Sequence, residues 1–595
     1  MSQPILRRTA EVRTTPSAEQ PPVIRRRSLP DALGGWPETT PSVLARVLAA
    51  RGITDPAEAE PGLPTMAAPN QLSGIGRAAE LLADAIEADR MIVVVGDFDC
   101  DGATGTAVAT LGLRQLGARR IGFRVPHRRE HGYGLSPALV AAVEPMAPEL
   151  ILTVDSGIAC IDGVAAARGR GWQVVISDHH LPGERLPDAD AIVDPNLPGD
   201  CFPSKHLAGV GVVFYLLLAV RAELRRRDRF RNSPEPDLRE LLDLVAIGTV
   251  ADLVPLDRNN RILVSAGLRR IRAGRCRPGI RALAECAGRS LPSFAADDIA
   301  FGLAPRINAA GRLEDMTLGI ECLLADDLDH ARTAAQTLDS INRERRSVQR
   351  DMLNAADQWL AANRGFVATG AAICLFGEDW HPGVIGLVAS RVKDQQYRPT
   401  IAFAPDHPGS ERLRGSARSI PGFHIRDALA SIDARQPGLI ERFGGHAMAA
   451  GLSLARTRLA DFEAAFVAEA DARLDPATLR TELLTDGPLC ASELNRELAE
   501  RLRLSGPWGQ GFPEPLFDNV FEVLDWRPIG TGHLRLDVRL DAGAASHTAI
   551  HFGGWDGAAP ERRVRLLYRL DLDDFAGRNA IRLTVNTRLP APDRG

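Results

Sequence analysis

The sequence predicts an α/β protein in three parts. A parallel-sheet domain comes first, one long helix leads from it to a second α/β domain, and a small β-barrel follows. Three observations predict this order. Short β-branched runs alternate with helical segments between residues 91 and 193, the pattern of a parallel sheet covered on both faces. A segment free of Pro and Gly runs from Leu328 to Leu360 with apolar residues along one helical side. Beyond about residue 475, apolar and polar residues alternate with period two, as in antiparallel strands.

Taken in order, residues 1–40 are rich in Pro, Arg, Thr and Glu and are expected to form a disordered tail. Residues 41–326 make the first domain, opening with short helical patterns such as Leu81–Ile86. Its strands are expected at Met91–Val95, Ile121–Val125, Leu150–Val154, Val174–Ser177 and Ala191–Val193. Helices are expected at Ala103–Leu116, Ile158–Arg168, Gly209–Arg226 and Leu238–Gly248, with residues 229–237 as an exposed insertion. Residues 327–362 form the connecting helix. Residues 363–458 form the second α/β domain, with strands at Ala371–Leu375 and Pro399–Phe403. Residues 470–595 form the barrel, with strands at His533–Leu540, Arg563–Tyr568 and Ala580–Val585.

Composition narrows the function. The 595 residues are 45% hydrophobic and 25% charged with a net charge of −5, ordinary for a globular protein and unlike a basic nucleic-acid coat. Only Lys205 and Lys393 among the 71 basic residues are lysine, which reads as coding bias. The longest apolar run, Leu207–Val220, is too short for a bilayer, and no hydrophobic core follows the N-terminal arginines, so a cytoplasmic protein is expected. The eight cysteines are scattered without a C-x-x-C pair, and they read as buried thiols in a reducing compartment.

The chemistry lies at the strand ends. The first strand ends in Gly96-Asp97-Phe98-Asp99-Cys100-Asp101-Gly102, the third in Asp155-Ser156-Gly157, the fourth in Ser177-Asp178-His179-His180 and the fifth in Asp194-Pro195-Asn196. Asp252 follows an apolar helix. Sites in open parallel sheets form beyond the carboxyl ends of the strands, so these residues share one rim. Singly, each Asp would be an ordinary helix cap. Together, so many carboxylates cannot stay ionised without cations. At period two, Asp97, Asp99 and Asp101 could point the same way. Carboxylates with imidazoles and no thiolate suit Mn²⁺ or Mg²⁺, and a pair of such ions can clamp a phosphate.

This set of motifs resembles the DHH phosphoesterase superfamily, and within it the RecJ branch of single-strand-specific 5′ to 3′ DNA exonucleases. The resemblance rests on Asp178-His179-His180 behind the Gly-Asp-x-Asp-x-Asp-Gly segment. Further matches are Val125-Pro126-His127-Arg128, Gly132–Leu135, Gly248–Leu256, Ala304–Arg312, His381–Arg391, Gly415–Ser419 and Gly444–Gly451. It implies a DHH domain, a DHHA1 domain and an OB-fold in that order.

The resemblance further implies that Asp99, Asp101, Asp155, His179 and Asp252 hold two Mn²⁺ or Mg²⁺ ions, with Asp155 bridging. Asp97 is implied as a ligand or as an acid behind the ligands. His180 is implied to contact the scissile phosphate or leaving group, and Asp178 to orient His179 or His180. Asp194 and Asn196 are implied as loop scaffolding. Arg128, Tyr133, Arg306, Asn308, Arg312, Ser416, Arg418 and His446 are implied to bind the strand. The implied partner is single-stranded DNA, with single-strand-binding protein and a helicase as further partners in recombination and repair, and a monomer is expected. The alternatives are a DHH-type oligoribonuclease or cyclic-dinucleotide phosphodiesterase, and a non-catalytic replication scaffold. A terminal barrel would count against the first two, and the intact acid and histidine set counts against the third.

Overall fold

A computed structural model describes residues 22–30, 35–127, 130–362, 370–475, 482–530, 532–573 and 580–591. It divides into two compact units. One joins residues 26–342 to 484–595 and the other centres on 343–483.

In the first unit five strands form one sheet: β1 (Ile92–Val95), β2 (Ile121–Arg124), β3 (Leu150–Val154), β4 (Gln173–Ser177) and β5 (Ala191–Val193). Their order is β2-β1-β3-β4-β5 and every pairing is parallel. All four residues of β1 are fully buried, which is why the run is apolar on both faces rather than alternating. The order reverses between β1 and β3, and there the crossovers leave in opposite directions and open a crevice.

Helix α1 (Cys100–Gln115) crosses the middle of this unit and buries every residue from Cys100 to Leu113, while α2 (Ile161–Arg168) joins β3 to β4. The first half of α1 is built of Gly, Ala and Thr because it packs against the sheet and against α3 (Gly209–Arg226) and α4 (Leu242–Ala251) at once. A Cβ on Gly105 would lie 2.6 Å from Val154 Cγ1. The helix starts three residues earlier than its sequence pattern suggests. Asp99 caps it, accepting from the backbone amides of Asp101 (2.9 Å) and Gly102 (3.0 Å). The extended, period-two arrangement expected for Asp97, Asp99 and Asp101 is therefore not formed. Asp101 sits in the first helical turn instead. Helix α5 (Ala304–Leu313) follows later in the unit, and the long helix α6 (Leu328–Ala362) leaves it near Asn342.

The barrel consists of β6 (Phe517–Ile529), β7 (His533–Arg539), β8 (Ser546–His551), β9 (Arg563–Asp573) and β10 (Ala580–Pro590). It closes in the order β6-β7-β8-β10-β9, with β8 and β10 parallel and the other pairs antiparallel. This is the five-stranded Greek-key arrangement of an OB-fold. The first barrel strand starts at Phe517, and residues 484–516 before it pack on the sheet domain. Trp508, Phe512, Phe517 and Tyr568 belong to the same continuous core as the residues around the first sheet. The Leu256 amide donates to Gln510 O at 2.7 Å. Arg51 donates to Val47 O, to Pro513 O and to both oxygens of Asp486, and both side chains of this ion pair are about fully buried, at 1% and 0% exposure. The barrel and the sheet domain are one body.

In the second unit, β11 (Ile373–Phe376), β12 (Thr400–Pro405), β13 (Arg412–Arg418), β14 (Arg442–Gly445) and β15 (Ala449–Ala455) form a sheet in the order β14-β15-β13-β12-β11. Helix α7 (Ile385–Gln396) packs on it.

Two expectations are adjusted. Residues 1–21 and 31–34 of the expected tail lie outside the described residues, while Val23–Arg26 forms a short strand. Among the described residues no cysteine forms a disulfide, and of the eight only Cys100, Cys322 and Cys374 are buried; Cys160, Cys276 and Cys286 are half-buried, and Cys201 and Cys490 are exposed. Among the described residues no helix is long and apolar enough to cross a membrane.

Candidate metal centre

The acids gather at the β1/β3 crevice. Asp97, Asp99 and Asp155 place one carboxylate oxygen each within 4.8 Å of one another. Asp101, His179 and Asp252 form a second such group, and Asp155, His179 and His180 a third. Asp155 and His179 each belong to two groups, so the three merge into one cluster. His179 Nε2 lies 3.0 Å from Asp155 Oδ1 and 3.7 Å from Asp252 Oδ2.

Local structure aims each of these side chains. Asp155 continues the β3 ladder through its amide to Ser177 O (3.0 Å), then turns into the left-handed region with φ 59°, which a short polar side chain tolerates. Helix α3 points its N-terminus at Asp101, and the amides of Gly209 (2.6 Å) and Val210 (3.1 Å) bond its two oxygens. Asp252 is the residue that caps the C-terminus of α4.

Two glycines make this closeness possible. A Cβ on Gly209 would lie 2.6 Å from Asp155 Cβ, and one on Gly248 would lie 2.7 Å from Asp101 Oδ1. Sequence reading passed over Gly209. Its only signal is a glycine opening an otherwise bulky apolar helix, which has meaning only once Asp155 is known to sit beside it.

Electrostatics agree with the geometry. Burial, then the charges of Asp252 and Asp99, push the Asp101 carboxyl well above its ordinary range. Burial, then Asp101 and Asp99, do the same to Asp155. Asp252 is raised by burial despite the opposing pull of His179. Burial lowers the His179 imidazole.

Asp178 has a different role. Its oxygens accept from the amides of Ile158 (2.9 Å), His179 (2.7 Å) and His180 (3.2 Å), and Oδ1 lies 2.8 Å from His180 Nδ1. Of the two histidines, its side chain pairs with His180. Burial works against the imidazolium of His180, but the bond to Asp178 and the surrounding acids outweigh it and raise the imidazole to about 9. Asp194 caps Asn196, and Asn196 Nδ2 donates to His179 O at 2.6 Å, so this pair braces the histidine loop.

The residues expected to bind substrate fall in three places. Tyr133 stands at the cluster, with its hydroxyl 3.3 Å from Asp155 O and its ring between Phe98 and His180. Arg128 lies outside the described residues. On α5, Arg306 is buried and committed to Asp339 (2.8 Å) and to Gly302 O, rather than turned toward a strand. Asn308 Oδ1 accepts from the Cys100 amide (2.8 Å), so it anchors the acidic loop from behind. Arg312 is half-buried at the end of the same helix. The motif Ala304–Arg312 thus buttresses the loop: Gly311 lies so close that a Cβ there would be 1.9 Å from Phe98 O.

In the second unit, Ser416 and Arg418 share β13, and Arg418 Nη1 donates to Ser416 Oγ at 3.2 Å. A Cβ on Gly386 would lie 2.8 Å from Ser416 Oγ and 2.9 Å from Arg418 Nη2, so both side chains sit against the first turn of α7. His446 lies in the turn between β14 and β15, where its amide donates to Ala449 O (2.8 Å).

Comparison with known proteins agrees with each part. The sequence matches the DHH family N-terminal domain over residues 91–249, the DHHA1 domain over 367–474 and the RecJ OB domain over 485–587. It is 46% identical over 573 residues to the single-stranded-DNA-specific exonuclease RecJ of Salmonella typhimurium, covering 95% of this chain and 99% of that one. The enzyme of the same name from Dickeya dadantii is 47% identical over 577 residues, with the same coverage. The crystal structure of RecJ in complex with Mn²⁺ from Thermus thermophilus superposes with a TM-score of 0.76 at 31% identity, over 96% of this chain and 80% of that one. With its DHH, DHHA1 and OB domains in that order, this chain belongs to the RecJ family.

Proposed function

We propose that this protein is a metal-dependent exonuclease that degrades single-stranded DNA in the 5′ to 3′ direction and releases 5′-mononucleotides, in DNA recombination and repair. The observation that carries the chemistry is the merged acid and imidazole cluster. Asp155 Oδ1 and His179 Nε2 are buried and face each other at 3.0 Å, yet neither makes a hydrogen bond. Two buried lone-pair donors aimed at one place, among raised carboxylates, fit a divalent cation. Asp97, Asp99, Asp101, Asp155, His179 and Asp252 would hold two ions, with Asp155 between them. Mn²⁺ and Mg²⁺ are both bound in structures of the Thermus relative, and either suits this donor set. When bound, such ions stabilise charge on a phosphate and lower the pKa of water.

The remaining roles fall to the chain itself. His180, held cationic by Asp178, would donate a hydrogen bond to the scissile phosphate or its leaving oxygen. Tyr133 offers a half-exposed ring for a base. Ser416 and Arg418, together at the start of α7, would bind a terminal phosphate, with His446 as a further strand contact. Arg312 and Arg128 are assigned to the strand. Asn308 positions the acidic loop instead, while Arg306 ties its helix to Asp339. On the barrel, Trp526 stacks on Trp555 at 5.4 Å, and the exposed Phe552 packs edge-on against His533; these rings would offer stacking surfaces to unpaired bases. The barrel also argues against the shorter oligoribonuclease and cyclic-dinucleotide readings. We assign the protein to the cytoplasm, as a monomer, with single-strand-binding protein and a helicase as further partners.

The test is direct. With Mn²⁺, the purified protein is expected to release mononucleotides from 5′-phosphorylated single strands and not from blunt duplex or short RNA, and a chelator is expected to stop it. Release from duplex or RNA at the same rate would overturn the substrate assignment. Gly209→Ala is expected to cut the rate by about a hundredfold, because the added methyl must displace Asp155 or the start of α3 by close to an ångström. A variant with parental turnover would show that this approach does not matter.

A further inference from the structure

Where a helix of this chain ends in the left-handed region, Gly or Asp mostly takes that position; among the described residues Ala147, Tyr397 and Leu253 do so as well, and of these only Leu253 is both bulky and exposed. The residue after the cap lies in the left-handed region after several helices. It is Gly117 after α1, Gly274 after Arg258–Arg272 and Gly288 after Pro278–Cys286. After two others it is Asp89 or Asp228. These are the residues that adopt this conformation readily. After α4 the same position holds Leu253, with φ 61°. A leucine there is disfavoured by its Cβ, and glycine would be preferred.

Leu253 is disfavoured a second time by its surroundings. Its side chain is 69% exposed, so no core contact offsets the backbone cost. It is also the next residue after Asp252. Leu181, in turn, directly follows His180 and is 63% exposed. The cluster atoms of Asp252 and His179 lie 3.7 Å apart. A site built from carboxylates and imidazoles is thus flanked by bare apolar side chains that folding does not require.

We infer that Leu253 is a substrate-contact residue that packs on the nucleobase of the terminal nucleotide, with Leu181 as its companion. The inference rests on the exonuclease reading above. A nucleotide whose phosphate lies on the acids carries its base within a residue or two of them, and an apolar side chain meets a base face without reading its identity. Such a contact suits an enzyme that must accept every base in turn. It also explains why the C-terminal position of α4 is not glycine.

The experiment uses the full chain with Mn²⁺ and two 5′-phosphorylated single strands, one normal and one abasic at its first nucleotide. On the normal strand, Leu253→Gly and Leu253→Ala are each expected to lose about tenfold in kcat/KM, mostly through KM. On the abasic strand the parent is expected to lose about the same factor and the variants no more. Leu253→Gly is expected to melt at or above the parental temperature, since it relieves the backbone. Fluorescence anisotropy of the metal-free protein with both strands reads the same contact without turnover. Parental inactivity on the normal strand would defeat the exonuclease reading, while anisotropy would still report on Leu253. Equal kcat/KM for variants and parent, an equal loss on both strands, or a lower melting temperature for Leu253→Gly would each overturn the inference.

Discussion

Asp155→Asn is expected to lower nucleotide release by about a thousandfold, worth about 4 kcal/mol of transition-state stabilisation, while the metal-free protein becomes no less stable. The two effects share a cause. Asp155 is fully enclosed, and burial with the charges of Asp101 and Asp99 raises its carboxyl well above the ordinary value of 3.8. A carboxyl raised in the folded state binds its proton more tightly there than in the unfolded chain. The metal-free fold therefore loses stability as pH rises above about 4 toward the raised folded value. Asparagine keeps the shape and removes that repulsion, so metal-free Asp155→Asn should melt at or above the parent at neutral pH. It also removes the charge that a divalent ion needs, so the rise in melting temperature on adding Mn²⁺ should shrink. Calorimetry with and without Mn²⁺, alongside the nuclease assay, checks both. Parental turnover in the variant would remove Asp155 from the centre.

Arg51→Ala is expected to cost about 3–5 kcal/mol and to free the barrel from the sheet domain. Asp486 would be left buried with only the longer approach of Arg27, at 3.8 Å, and the carbonyls of Val47 and Pro513 would each lose a donor. The Arg51 guanidinium also lies 5.3 Å from the Trp508 ring, within the core that joins the two parts. Removing it should expose residues 482–516 to protease well below the melting temperature of the sheet domain. Asp486→Asn should cost less, since its side chain can still accept from the Leu516 amide, which it does at 2.9 Å. Equal protease resistance in Arg51→Ala and the parent would show that the apolar core alone holds the barrel in place.

Much of the site was legible along the chain because a parallel sheet places every strand's carboxyl end on one edge. Strand-end acids then become neighbours whatever their separation in sequence, and Asp97, Asp99, Asp155 and the histidine pair could be read together. Asp252 was legible for another reason, as a carboxylate after a helix too apolar to be on the surface. The arginines were not legible in the same way. Arg306 and Arg418 look alike in sequence, but one is spent on Asp339 and the other lies beside Ser416 and α7. Whether a guanidinium faces a ligand or a carboxylate depends on what the rest of the chain brings to it.

The sequence by itself determined the order of the domains, the parallel sheet, the barrel and the cation-demanding chemistry, because periodicity and residue type report local geometry and charge. Only the tertiary structure decided that Asp99 caps α1 and so bends Asp101 away from the expected row. It also decided that Asp178 pairs with His180, that Gly209 must be small and that Leu253 stands strained and bare beside Asp252. It fixed the barrel to the sheet domain through Arg51 and Asp486, which lie 435 residues apart. The reason is one of range. Hydrophobic pattern acts over a few residues, whereas a buried charge, a missing Cβ or an exposed leucine takes its meaning from atoms that only folding brings within a few ångströms.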